Sequence, residues 1–189
     1  MADKPLKGIR VAILATNGFE EAELVQPRKA LDEAGATTTL ISPAIGEIYG
    51  MRHHDKAGKV KVDMALQEAK ADDFDAVLLP GGALNADDIR DWREVQAFVR
   101  EADSAGKPIA VICHGPWLLV SAGLTRGRKL TSWPSIRVDI TNSGGTWEDR
   151  EVLRDNNWVS SRKPDDIPAF NREMTALFAE RAKAGVRAA

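Results

Sequence analysis

The sequence predicts a doubly wound α/β fold, in which a mostly parallel sheet carries helices on both faces. Short β-branched apolar runs recur along the chain, stretches of helical periodicity separate them, and glycine or proline marks most junctions. The first unit is a strand within residues 8–15, a helix within 19–35 and a strand over 37–42. A strand-helix-strand unit this short makes its two strands parallel neighbours. Pro27 predicts either a kink in the first helix or a later start for it.

The rest of the chain continues the same alternation. The further predicted elements are, in order, a hairpin or edge excursion over 43–63, a short helix over 63–74, a strand over 75–80, a helix over 91–105, a strand over 109–113, a helix over 114–123, a strand over 128–133, a helix over 134–144, a hairpin turning at 155–157 and a last helix over 165–182. We find no internal repeat and no linker, so residues 1–189 are expected to form one domain.

Composition narrows the class of protein. The chain is 43% hydrophobic and 29% charged, with a net charge of −2, so no overall field favours nucleic acid or an anionic membrane. The densest basic group, 125–129, is interpreted as a solvated loop. No apolar run approaches the length of a membrane span. The single cysteine excludes an internal disulfide, and together with the absence of a signal-peptide pattern it predicts a cytoplasmic protein.

The single cysteine, Cys113, lies where a predicted strand runs directly into a predicted helix. The stretch IAVICHGPW places it after four apolar residues and two positions before Gly115. This is the logic of a nucleophile elbow, although Val111 occupies the position of the first glycine in the usual form. The helix start should favour the thiolate. Spacing alone, however, favours the alternative that Cys113 is a small buried apolar residue.

Two other groups are expected at the same edge of the sheet, because ligands bind beyond the carboxyl ends of parallel strands. Gly81 and Gly82 follow a strand, and their backbone N–H groups could hold an oxyanion or simply form a tight turn. Glu20, Glu21 and Glu23 open the first helix, where acids complement the helix dipole. One of these carboxyls could instead lie close to the thiol, stay protonated and donate a hydrogen bond to it.

Any imidazole base must be His53, His54 or His114. The first two lie in a polar loop and are expected to be exposed, and a doublet without further ligands is weak evidence for metal. His114 directly follows Cys113, but neighbouring side chains diverge at a regular helix start. Spacing therefore does not establish that the two side chains touch.

Taken together, these motifs closely resemble a known family. The stretches NGFEEAEL, LLPGG, GKPIAVICHGPWLLVSAG with RGRKLTS, and WVSSRKPDDIPAF resemble the PfpI family of intracellular-protease-like and deglycase-like proteins. The resemblance covers nearly the whole chain in order. It implies a flavodoxin-like fold within the class I glutamine amidotransferase-like superfold, with no cofactor and no metal.

The resemblance also implies roles for particular residues. Cys113 is the nucleophile, His114 its imidazole partner and Glu23 the acid that hydrogen-bonds the cysteine, while the backbone of Gly81, Gly82 and His114 forms the oxyanion site. Asp87 corresponds to an acid that completes a triad from a neighbouring subunit in protease-like members, with Asp88 a weaker candidate. A homo-oligomer, at least a dimer, follows from this implication.

Three functions remain open at this point. The first is a stress-protection enzyme whose Cys113 thiolate attacks a carbonyl, acyl or glycation-adduct substrate, with peptidase activity doubtful. The second is a non-catalytic sensor whose cysteine is oxidised to sulfenic or sulfinic acid. The third is an inherited scaffold with an inactive site, whose thiol would react no faster than free cysteine.

Overall fold

A computed structural model describes the backbone of residues 4–188 and the side chains of residues 4–181. Its strands are β1 Arg10–Leu14, β2 Phe19–Glu20, β3 Thr37–Ser42, β4 Glu47–Arg52, β5 Asp55–Lys61, β6 Met64–Ala65, β7 Ala76–Leu79, β8 Ile109–Ile112, β9 Lys129–Leu130, β10 Thr146–Trp147, β11 Val152–Asp155 and β12 Trp158–Ser161. Its α-helices are α1 Glu21–Glu33, α2 Ala83–Ile89, α3 Arg93–Ser104, α4 Pro116–Ser121, α5 Arg137–Asn142 and α6 Ile167–Ala188. Short 3₁₀ turns lie at Leu66–Glu68, Ala71–Asp73, Pro134–Ile136 and Pro164–Asp166.

The central sheet has seven strands in the order β11-β12-β8-β7-β1-β3-β6. All neighbours are parallel except β11 and β12, which form an antiparallel hairpin at one edge. The central strands β1, β7 and β8 are buried on both faces, which explains their continuous apolar sequences. Their carboxyl ends meet at one edge, where the predicted functional residues lie.

Successive strand residues point to opposite faces of the sheet, where they pack into two separate hydrophobic cores. On one face Ile13 and Leu78 pack with Leu24 of α1 and with Phe170 and Met174 of α6. On the other face the second cluster combines strand residues with α3 and α4, and its members include Leu14, Val77, Val111, Val95, Phe98 and Leu118. The predicted doubly wound fold, with helices on both faces of a mostly parallel sheet, is confirmed.

Two predicted hairpins are present. Strands β4 and β5 form a small antiparallel hairpin that pairs with β2 beside the main sheet. Strands β11 and β12 turn at Asn156, whose φ of 53° suits a tight turn. The first helix begins at Glu21, so Pro27 lies inside it and does not mark its start.

The continuous short helix predicted over 63–74 does not form; two 3₁₀ turns, Leu66–Glu68 and Ala71–Asp73, are all that is helical there. Met64 and Ala65 instead add a parallel edge to β3, and Asp63 accepts hydrogen bonds from the Leu40 N–H and from Arg28. Pairing at the sheet edge outweighs the helical pattern of so short a segment, because short helices are marginal without tertiary packing. Helix α2, in turn, was not predicted; its buried Asn85 side chain bonds the carbonyls of Pro80 and Gly81.

The basic group 125–129 is only partly a solvated loop. Arg128 is largely buried, donates to the Asp155 carboxylate at 2.7 Å, and lies over the Trp158 ring at 3.7 Å from its centroid. Lys129 and Arg126 are exposed, as expected. Within residues 4–188, no helix is both long and apolar enough to cross a membrane.

Candidate active site at the Cys113 elbow

Cys113 occupies a strained turn between β8 and α4. Its φ is 61°, a left-handed conformation that is uncommon for a residue with a side chain and is often found at functional sites. The turn is tied to its surroundings because the Cys113 N–H donates to Ser161 O at 3.1 Å and Cys113 O accepts from the Trp133 N–H at 2.9 Å. A Cβ at Gly115 would lie 2.9 Å from Leu79 O, so the bend requires glycine there. The predicted strand-turn-helix is therefore present.

The structure brings His114 into contact with the thiol. Its Nδ1 lies 3.2 Å from Cys113 Sγ, although the two residues are adjacent in sequence. Cys113 has a positive φ, so its backbone is not that of the regular helix start at which neighbouring side chains diverge. The imidazole packs against two indoles, edge-on to Trp117 at a centroid distance of 5.3 Å and stacked with Trp133 at 6.0 Å. Burial lowers the pKa of His114, which favours the neutral ring that can accept a proton.

Glu23, from the first turn of α1, is the buried acid of the site. Its side chain is 0% exposed, and neither carboxyl oxygen has a hydrogen-bond partner of good geometry among the described residues. The polar groups that face it are the Cys113 thiol and the Gly81 N–H. Burial raises the pKa of Glu23 to about 8, and the nearby Glu20 charge adds to the rise. The carboxyl is therefore protonated at neutral pH and can donate a hydrogen bond to sulfur.

The glycine pair is required by close packing. A Cβ at Gly81 would lie 2.6 Å from Cys113 Cβ and would collide with the Glu23 carboxyl. Gly82 has a φ of 88°, and a Cβ there would lie 2.5 Å from Gly18 O. The N–H groups of Gly82 and His114 point to the sulfur, whereas the Gly81 N–H faces Glu23. Of the three predicted oxyanion donors, the N–H groups of Gly82 and His114 thus face the thiol.

The pKa of the Cys113 thiol is raised, contrary to the prediction that the helix start favours the thiolate. Cys113 is 6% exposed, and burial raises its pKa well above the usual value, with an ionised Glu23 raising it further. The amides of Gly82 and His114 act in the opposite direction but do not outweigh burial. Helix α4 has only six residues and carries Pro116 in its first turn, so it offers few free N–H groups. Ionisation of this thiol therefore depends on a proton acceptor and on a protonated Glu23.

The thiol opens into a cavity of about 250 Å³, which we call the thiol pocket. Its lining residues are Glu20, Glu23, His53, His54, Gly82, Ala83, Cys113, His114, Trp133 and Pro164. His53 and His54 are exposed, as predicted, yet they belong to this wall because the β4–β5 hairpin folds beside the elbow. Sequence reasoning also missed Trp133 and Pro164, which come from distant loops and carry no local signal.

Asp87 does not join the site within this chain. It lies on α2 with its side chain 65% exposed, pairs with Arg90 at 2.8 Å and does not line the thiol pocket. Asp88 is likewise exposed on α2. The Arg90 guanidinium lies over the Trp117 ring at 4.7 Å, so Asp87 is linked to His114 only through other side chains. Its contribution from a neighbouring subunit, and the homo-oligomer itself, stay predictions.

Among the described residues, no group of three or more His, Cys, Asp or Glu side chains is arranged to hold a metal ion. The groups gathered at the pocket are the Cys113 thiol, the His114 imidazole, the buried Glu23 carboxyl and the N–H groups of Gly82 and His114. Such a set can deprotonate the thiol, present it to an electrophilic carbon and stabilise a developing oxyanion.

Comparison with known proteins shows the family of the chain. The profile of the DJ-1/PfpI family matches residues 9–177. The chain is 41% identical over 170 residues to Deglycase PfpI of Pyrococcus furiosus, covering 90% of this chain and 99% of that protein. It is 42% identical over 173 residues to General stress protein 18 of Bacillus subtilis, covering 90% and 98%.

A solved structure that contains a domain of the same kind is also similar to this chain. A two-domain protein from Anabaena variabilis, containing DJ-1/ThiJ/PfpI-like and ferritin-like domains, matches with a TM-score of 0.84 and 31% identity. The match covers 89% of this chain and 47% of that one, about half its length. On the profile match and the identity to full-length relatives, the chain belongs to the DJ-1/PfpI family.

Proposed function

We propose that this protein is a cysteine-dependent enzyme of the deglycase type, in which Cys113 attacks a carbonyl, acyl or glycation-adduct substrate. Relatives named deglycases and a general stress protein support a role in protection against stress. The observation that carries the proposal is the placement of Cys113 Sγ 3.2 Å from His114 Nδ1, beside the buried carboxyl of Glu23. A cysteine that served only as packing would need neither neighbour.

The first step transfers the thiol proton to His114 Nδ1, because the lowered pKa of that imidazole keeps it neutral and able to accept. The sulfur then forms a bond to the electrophilic carbon, and the carbonyl electron pair moves onto oxygen. We assign stabilisation of that charge to the N–H groups of Gly82 and His114, which face the sulfur in the free site and lie beside the carbon that bonds to it. When the oxyanion collapses, the bond from that carbon to the departing group breaks and the His114 imidazolium protonates the departing group; water then attacks the same carbon, the carbon–sulfur bond breaks and the Cys113 thiol is restored.

Glu23 supports this step by remaining protonated. A neutral carboxyl can donate a hydrogen bond to the thiolate, whereas a carboxylate beside it would repel the same charge. The site therefore needs Glu23 buried, even though a buried acid without an ion partner costs stability.

The test is turnover of methylglyoxal-type adducts by wild type and by Cys113→Ser. Serine keeps the shape of the side chain, so thermal unfolding should change little while turnover is abolished. His114→Ala should lower turnover strongly, since the nearby proton acceptor is lost. Full activity in Cys113→Ser would contradict the proposal.

A second candidate function is oxidative sensing, because the only cysteine of the chain has no second thiol to trap it in an internal disulfide. The burial and raised pKa of Cys113 count against it, since sensor thiols are typically exposed and ionised. Mass spectrometry after mild peroxide separates the two functions. A sensor accumulates oxidised Cys113 at doses that leave methionine intact and shows no turnover.

A further inference from the structure

The thiol pocket has an unbalanced charge. Of its two acids, Glu23 is buried and protonated at neutral pH, which leaves Glu20 as the carboxylate exposed to the cavity. No lysine or arginine is among the lining residues. The only basic side chains in its wall are the imidazoles of His53, His54 and His114, so no lysine or arginine charge opposes Glu20 within the pocket.

Cations close to the pocket are already held by other carboxylates. Arg52 is the last residue of β4 and directly precedes His53, and Arg162 and Lys163 precede Pro164. Their pairs, with nitrogen–oxygen distances, are Arg52–Glu21 at 2.6 Å, Arg162–Asp149 at 2.7 Å, Arg162–Asp166 at 2.8 Å and Lys163–Asp165 at 3.0 Å. These pairs leave no free positive charge among them to offset Glu20.

Glu20 is also held in place at the pocket wall. Its Oε2 accepts a hydrogen bond of 3.1 Å from the backbone N–H of His53, at the tip of the β4–β5 hairpin. His53 has a φ of 56°, so the hairpin tip takes an unusual backbone conformation that presents this N–H. Glu20 precedes α1 without making a side-chain cap bond, so its carboxylate is not required for the start of the helix.

The charge of Glu20 acts on the acid next to the thiol. Its charge contributes to the raised pKa of Glu23, which faces the Cys113 thiol. The indole of Trp133 lines the same pocket, is 39% exposed, and has an aromatic face of the kind that attracts cations. A carboxylate and an aromatic ring around a small cavity are the groups that recognise a guanidinium or an ammonium.

We propose that Glu20 determines substrate charge: the thiol pocket selects small electrophiles that carry a positive charge, such as a guanidinium- or ammonium-bearing adduct, over anionic ones of the same size. The proposal rests on the proposed function in taking Cys113 as the reacting atom. The cavity of about 250 Å³ limits the selected group to the size of a small molecule or one side chain.

The test measures the rate at which Cys113 reacts with three small methanethiosulfonates, whose tails are 2-aminoethyl (cationic), 2-hydroxyethyl (neutral) and 2-sulfonatoethyl (anionic). In each reaction the thiolate forms a disulfide with the reagent and methanesulfinate leaves. Rates are taken near neutral pH by intact mass and are divided by the rates of a free thiol. This ratio removes the intrinsic reactivity of each reagent.

The wild type should favour the cationic over the anionic reagent by about tenfold, and added salt should reduce that preference. Glu20→Gln keeps an oxygen acceptor for the His53 N–H but removes the charge, so the preference should fall to near unity. Glu47→Gln removes the same charge from the exposed Glu47–Lys59 pair of the hairpin and should leave the preference unchanged.

A wild-type ratio near unity, or the same ratio in Glu20→Gln, would overturn the inference. If Cys113 shows the charge preference but the protein turns over no adduct, the proposed enzymatic function fails while this inference stands. If Cys113 reacts with none of the three reagents, the pocket is closed to this class of molecule, and both are wrong.

Discussion

Glu23→Gln should change how the stability of the protein depends on pH. In the folded protein burial raises the pKa of Glu23 from 4.5 to about 8, so the folded state holds a proton that the unfolded chain releases above about pH 4.5. The free energy of unfolding of the wild type therefore falls as pH rises through this window. At about 1.36 kcal/mol per pH unit, the loss relative to the glutamine variant reaches about 5 kcal/mol above pH 8.

The assay is urea unfolding of both proteins at several values between about pH 4 and pH 9. The variant carries a neutral amide, so the gap between the two curves should be small at the acidic end and should widen steadily with pH. Cys113 does not obscure the gap, because burial raises its pKa well above the usual value. Glu47→Gln, at an exposed position, should run parallel to wild type. Parallel curves for Glu23→Gln as well would refute the reasoning.

Three further predictions concern the elbow. Gly81→Ala should lower the free energy of unfolding by about 2 kcal/mol or more and should reduce turnover, because the new Cβ would lie 2.6 Å from Cys113 Cβ; urea unfolding and steady-state kinetics measure both. Trp117→Phe keeps a ring beside His114 but loses the 2.8 Å bond from Nε1 to Asp139, so kcat should fall severalfold with little change in KM. Since burial lowers the pKa of His114, kcat/KM should decline only as pH drops below about 6.5, where protonation removes the base.

These predictions have their own controls. Trp147→Phe removes a comparable 2.9 Å indole bond, to Ser132, outside the thiol pocket and should leave kcat unchanged; an equal loss in both tryptophan variants would show that Trp117 acts only on stability. A stable and fully active Gly81→Ala would contradict the packing argument. An acid limb above pH 6.5 in kcat/KM would contradict the assignment of His114 as a neutral base.

Much of the fold follows from the sequence because the central strands are buried on both faces and separated by amphipathic helices. The strand over 37–42 was predicted with its observed bounds, since no neighbouring pattern competes with it. The prediction of a helix over 63–74 failed because Met64 and Ala65 pair with the edge of β3, and this pairing overrides the helical spacing. Local periodicity does not contain that tertiary contact.

In the candidate site, too, the sequence predicts the local motif but not the contacts between distant segments. The motif around Cys113 predicts the elbow, but the contact with His114 depends on a positive φ that spacing cannot reveal. Spacing alone allowed one of Glu20, Glu21 and Glu23 to be a protonated neighbour of the thiol; the family resemblance singled out Glu23, and its burial fits that expectation. The places of His53 and Trp133 in the pocket depend on how distant loops fold over the sheet edge, so no local pattern indicates them.

The central claim is that Cys113 is a nucleophile assisted by a protonated Glu23. The most direct test is the pH dependence of Cys113 alkylation by a small neutral reagent, in wild type and in Glu23→Gln. The wild-type thiol should react faster than that of the variant below about pH 8, where the protonated carboxyl is a stronger hydrogen-bond donor to sulfur than the glutamine amide. The advantage should vanish at higher pH, where the carboxylate repels the thiolate. Two superimposable profiles across the whole range would contradict the claim.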